Sequence, residues 1–89
     1  MSWDETSWVY RGRLRRQILN ALDTPKTATK LEKELDTHRS TISQSLIEMT
    51  AKGLLECLDK DQPYNRFYKR TSKGDKINLE VQKLISKEP

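Results

Sequence analysis

The sequence predicts a mainly α-helical fold with one small β-hairpin, an α+β class whose elements run helix, helix, helix, hairpin, helix. Three observations lead there. Apolar residues recur at three- and four-residue intervals in four separate stretches, the spacing that lines one face of a helix. Asp23-Thr24-Pro25, Asp36-Thr37 and Gly53 fall between those stretches, where turn-formers and helix-breakers belong. From residue 54 to residue 71 the pattern changes to two short segments flanking Asp61, Gln62, Pro63 and Asn65, a run of turn residues that marks a hairpin.

The first helix is expected from Ser7 to Leu22, where Tyr10, Leu14, Ile18 and Leu22 recur every four positions with Leu19 beside them. Arg11, Arg13, Arg15 and Arg16 fill the rest of it. Pro25 ends it, because proline restricts the residue before it and donates no backbone hydrogen bond. A short second helix is capped by Thr27 or by Thr29, the latter with Glu32 three residues on as a capping box, and buries Leu31 and Leu35. The third runs from His38 to Lys52 with Ile42, Leu46 and Met49 inward, and Gly53 stops it. Leu54 to Asp59 and Arg66 to Thr71 make the hairpin, the second strand alternating aromatic and basic residues. Thr71 or Ser72 caps a last helix whose Ile77, Val81, Leu84 and Ile85 share a side, while Leu79 stands apart.

Eighty-nine residues make one small domain, taken as residues 1–89. Apolar and charged residues each supply 34% of the chain, so the hydrophobes have to be gathered into those stripes to form an interior at all. No stretch approaches the roughly 18 apolar residues of a membrane span, and the N-terminus lacks a secretory pattern. An intracellular, cytoplasmic protein is therefore expected, with no membrane partner. Cys57 and His38 are each the only residue of their type, which argues against a disulfide, a metal site or a cofactor. With three glycines there is no phosphate-binding loop, and no nucleophile–base arrangement is visible, so no enzyme is expected. Seventeen basic residues against thirteen acidic give a net charge of +4, compatible with a polyanionic partner.

Leu31-Glu-Lys-Glu-Leu35, a brief turn, Arg39-Ser-Thr-Ile-Ser-Gln-Ser-Leu46 and then Lys52-Gly53-Leu54-Leu55-Glu56 form a pattern that resembles the winged helix-turn-helix transcription regulators of the arsenical-repressor and multiple-antibiotic-resistance-repressor types. The resemblance covers residues 26 to 77 and includes Thr71-Ser-Lys-Gly74 as the lead-in to the last helix. It implies that the third helix is a recognition helix and the hairpin a wing. Three positions depart from the pattern: Glu32 replaces a small residue, Asp36 a glycine and Thr37 an apolar residue. Aspartate enters the left-handed region more readily than most residues, so Asp36 is expected to make the turn. Arg70 stands where an aliphatic residue is usual, which would turn Phe67 inward in place of Tyr68.

With Ile42, Leu46 and Met49 inward, rotation of about 100° per residue turns Ser40 and Gln44 outward, flanked by Thr41, Ser43 and Ile47. Such a nearly uncharged polar face suits the floor of a DNA major groove. Gln44 is suited to adenine, Arg39 to a guanine edge or a phosphate, and Ile47 to a thymine methyl. In the wing, Arg66 and Lys69 are expected to neutralise phosphates and Tyr64 or Asn65 to bond backbone or minor groove, with Lys26 and Lys30 as further anchors. His38 is expected as a first-turn or capping residue of the helix, not a ligand or sensor.

Regulators of this kind pair across a two-fold axis. Trp3, Trp8, Val9, Ile77, Val81, Leu84 and Ile85 exceed what so small an interior needs, so the first and last helices are expected to form a homodimer interface. The expected function is a sequence-selective regulator of double-stranded DNA, most simply a homodimeric repressor. A winged-helix module for protein interaction or RNA binding is the alternative. No effector pocket is recognisable.

Overall fold

The structure, a computed structural model, describes residues 3–61 and 66–88, with the side chains from Asp4 onward. Helices α1 (Trp3–Arg11) and α2 (Arg13–Ala21) are followed by a two-residue strand β1 (Lys26–Thr27), α3 (Ala28–Leu35) and α4 (Arg39–Ala51). Strands β2 (Leu55–Cys57) and β3 (Phe67–Arg70) form the hairpin, and α5 (Ser72–Ser86) closes the chain. The sheet is antiparallel in the order β1-β3-β2, with Lys26 opposite Tyr68 and Cys57 also opposite Tyr68. The predicted class stands: helices with a small antiparallel sheet in the predicted order, enlarged by β1. Two residues after Pro25 are too few to show alternation, so β1 left no trace in the sequence pattern.

The single helix expected over Ser7–Leu22 is two helices. Gly12 sits between them in extended conformation, its N–H donating to the Val9 carbonyl while its own carbonyl accepts from the Arg16 N–H. Glycine is the poorest helix-former short of proline, and the side chain of Arg15 crosses the gap to donate to the carbonyl of Trp8 at 2.7 Å. Such a bond meets one of the carbonyls that every helix end leaves without an internal partner.

The break lets α1 bury Val9 while α2 buries Ile18 and Leu19. They join Leu22, Leu31 of α3, Ile42, Leu46 and Met49 of α4, Leu54 and Leu55 at the start of the hairpin, and Ile77 and Val81 of α5 in one core. Val9 and Val81 are 0% exposed and Ile77 1%. These three members of the expected dimer interface are thus interior residues of the chain itself, because α1 and α5 lie against each other. Trp8, Leu84 and Ile85 are half-buried, and the side chain of Trp3 lies outside the described residues.

The caps settle to one residue each. Thr27 accepts from the Lys30 N–H at 3.1 Å and Thr71 from the Gly74 N–H at 3.0 Å. In β3 it is Tyr68 that faces the core and Phe67, 43% exposed, that faces out, the reverse of the expectation. Arg70 shares the inner side with Tyr68, and its guanidinium finds polar partners there: the Leu19 carbonyl at 2.9 Å and the Asp75 carboxylate at 2.9 Å. A satisfied arginine with an apolar stem serves where an aliphatic residue was expected.

Candidate nucleic-acid interface

The turn from α3 to α4 is built by the residues that depart from the usual pattern. Asp36 takes the left-handed conformation (φ 50°) and ends α3. The hydroxyl of Thr37 donates to the Leu35 carbonyl at 3.0 Å. His38 caps α4, its Nδ1 accepting from the Ser40 N–H at 3.2 Å. Glu32 reaches forward from α3 so that its carboxylate accepts from the Arg39 N–H at 3.1 Å. Two orphan donors of the first turn are met by side chains, and the carboxylate also suits the positive end of the helix dipole. In the sequence Glu32 stood as a departure and as the capping-box partner of Thr29; with Thr27 as the cap of α3 it serves the start of α4 instead, and the signal missed was a carboxylate one short turn ahead of an expected helix start.

So held, α4 turns Ile42, Ser45, Leu46 and Met49 inward. Arg39, Ser40, Thr41, Gln44 and Ile47 are exposed, while Ser43 is half-buried on the flank. The expected recognition residues therefore share one face, with Ser43 at its edge. Glu48, the one carboxylate in α4, is half-buried. Thr41 also borders a shallow groove between α2, α3 and α4 lined by Arg13, Leu14, Gln17, Leu35 and Thr37.

The far end of α4 is held as well. Lys52 lies over the ring of Trp8, 4.7 Å from its centroid, and Arg15 lies 4.1 Å from the same centroid. The Lys52 carbonyl accepts from Lys73 Nζ at 3.0 Å, and Lys73 pairs with Glu5 at 2.7 Å. These contacts tie α4 to α1 and α5, and no periodicity could have announced them.

The hairpin stands beside α4. The Leu58 N–H donates to the Phe67 carbonyl at 2.8 Å and Asp59 accepts from the Phe67 N–H at 3.0 Å, closing its outer end. Tyr64 and Asn65 lie outside the described residues. Arg66 is exposed at the base of the tip and Lys30 is exposed on α3. Lys69 pairs with Glu56 across the strands at 3.3 Å. Lys26 is paired with Glu34 at 3.0 Å and Asp23 at 3.6 Å, which engages within the chain the anchor expected there. Among the described residues no cluster of His, Cys, Asp and Glu could hold a metal ion, and no helix is long and apolar enough to cross a membrane.

Comparison with known proteins agrees with this geometry. None of the curated proteins matches the chain in sequence. Among solved structures, the crystal structure of a MarR family transcription regulator superposes with a TM-score of 0.72 at 28% identity. The match covers 93% of this chain and 62% of that one, so the chain spans less than two thirds of the length of that regulator. The family described as methanogenesis regulatory protein FilR1, N-terminal domain, matches residues 7–87. A helix-turn-helix flanked by a three-stranded wing and a match over nearly the whole chain make this a winged-helix regulatory domain: it belongs to the family of FilR1 N-terminal domains.

Proposed function

We propose that residues 1–89 form one winged helix-turn-helix unit that binds double-stranded DNA sequence-selectively and regulates transcription. The observation that carries this reading is the outer face of α4, on which Arg39, Ser40, Thr41 and Gln44 are exposed together with no carboxylate among them. Such a face suits base edges lined by phosphates, and the exposed Arg39 adds positive charge at the helix start. Arg39 and Gln44 read bases, with Ser40, Thr41 and Ser43 alongside. Arg66 and Lys30 contact phosphates, and Tyr64 or Asn65 bonds backbone or minor groove. Lys69 joins them by exchanging its Glu56 partner for a phosphate. Resemblance to a MarR family transcription regulator supports the same reading.

The regulator acts as a cytoplasmic homodimer that represses by occupying a promoter, since one module buries too little surface for tight selective binding. Trp8, Leu84 and Ile85, with Trp3, supply the contact, because the other residues of that stripe are interior.

The test is binding to mixed duplex DNA over a salt series, followed by selection of a preferred site from random sequence. A steep fall of affinity with salt and a selected motif are expected. A flat salt response with no motif would overturn the reading.

A further inference from the structure

Resting on that reading and deepening it, the geometry points to Ile47 as a reader of a thymine methyl group, so that the site preferred by α4 contains an A·T pair beneath the second half of the helix. In α4 the usual polarity is inverted over two positions: Ser45 is 9% exposed, while Ile47 is 59% exposed. Four large hydrophobic residues among those described are exposed, Ile47, Leu58, Phe67 and Leu79. Of these Ile47 alone lies on α4. Ser40, Gln44, Ile47 and Ala51 are all exposed, and at steps of four, three and four residues they make one row along the helix crest. The row opens polar, where Arg39 brings positive charge, and ends apolar.

That order matches the chemistry of one base pair. The major-groove edge of adenine offers an acceptor and a donor, which a glutamine engages together, and its partner thymine offers a C5 methyl that favours an apolar side chain. Gln44 and Ile47 are separated by about 4.5 Å along the helix axis, at about 1.5 Å per residue. Successive base pairs lie about 3.4 Å apart. The two side chains therefore address the same or adjacent pairs, Gln44 the adenine and Ile47 the methyl. The occupant is duplex DNA because the crest carries no carboxylate, has the exposed cation of Arg39 at its start, and is open to solvent among the described residues.

The experiment uses the duplex selected from random sequence, with each dT replaced in turn by dU, which removes the methyl group and leaves the base pair intact. Replacement at one or two positions is expected to weaken binding by about fourfold, the worth of one carbon withheld from water. Ile47→Ala, a surface change that leaves the core intact, is expected to weaken binding to the dT duplex by a similar or larger factor and to lose nothing further on the dU duplex. Equal dU losses in the wild type and in Ile47→Ala, or none in either, would overturn the assignment of Ile47 while leaving DNA binding standing. Failure of the wild-type protein to select any duplex would overturn both.

Discussion

The carbonyl oxygen of Leu54 lies 2.0 Å from where a β-carbon would stand at position 74, so only a residue without one fits. The same oxygen accepts from the Thr71 N–H at 3.1 Å. The entry to the hairpin and the entry to α5 thus close on each other, which ties Gly53-Leu54-Leu55 to Thr71-Ser-Lys-Gly74. The nearest atom is backbone and has no rotamer by which to retreat. Gly74→Ala is expected to destabilise the domain by about 3 kcal/mol, the upper range for forcing extra volume into a packed site. Thermal unfolding followed by circular dichroism checks it, and an unchanged midpoint would contradict the close approach.

Arg70 is expected to matter more for stability than its partner Asp75. Its guanidinium bonds the Leu19 carbonyl, one of the last carbonyls of α2, and its side chain is 16% exposed, whereas Asp75 is 60% exposed. Arg70→Ala leaves the carbonyl without that donor and should cost about 2 kcal/mol. Asp75→Ala removes an ion pair largely open to water and should cost at most about 0.5 kcal/mol. Urea unfolding of both variants decides between this ranking and its reverse.

Much of this architecture was legible because amphipathic spacing is a direct record of burial. Ile42, Leu46 and Met49, spaced by four and three, placed the inner side of α4 and hence its outer face. Glu32 and Arg70 were legible as departures from the pattern, and Glu32 also as a cap for the wrong helix. Their roles depend on atoms far along the chain: the Arg39 N–H for one, the Leu19 carbonyl for the other. Gly12 was hidden by the four-residue recurrence running from Tyr10 to Leu22, since a break that preserves a stripe leaves the pattern unaltered. The first-and-last-helix stripe was read as surplus apolar area, because a sequence does not say whether two such stripes face each other within one chain. The proposed recognition residues were legible as types on a face; which base or phosphate each would meet depends on a partner outside the chain.

His38 caps α4 with a ring nitrogen, so substitutions should divide by their ability to accept a hydrogen bond. His38→Asn is expected to keep both stability and DNA affinity, because asparagine is a strong cap. His38→Ala should lose about 1 kcal/mol of stability and weaken the contacts made from Arg39 and Ser40. Amide exchange at Ser40 reports the cap directly, and equal protection in the two variants would count against it.

Tyr10 and Glu88 should give an alkaline signature. The phenol donates to a carboxylate oxygen of Glu88, and this bond, followed by withdrawal from water and the negative charge of Glu88, raises its pKa above the ordinary 10.0, with Arg16 opposing. A folded-state pKa above the unfolded value means that the contact contributes fully below the unfolded value and is lost as pH rises through the folded one. Ultraviolet titration in a background of Tyr64→Phe and Tyr68→Phe should place Tyr10 above free tyrosine. Adding Glu88→Gln should bring it back down, and no difference between the two would refute the link.

With Val9, Ile77 and Val81 enclosed by their own chain, the domain completes its interior without a second copy, and the proposed pairing would join two finished units. Dilution should then separate a pair into intact halves without melting them, so that a variant unable to associate remains a sound, foldable cassette. Loss of occupancy on DNA could then be assigned to broken pairing and not to collapse.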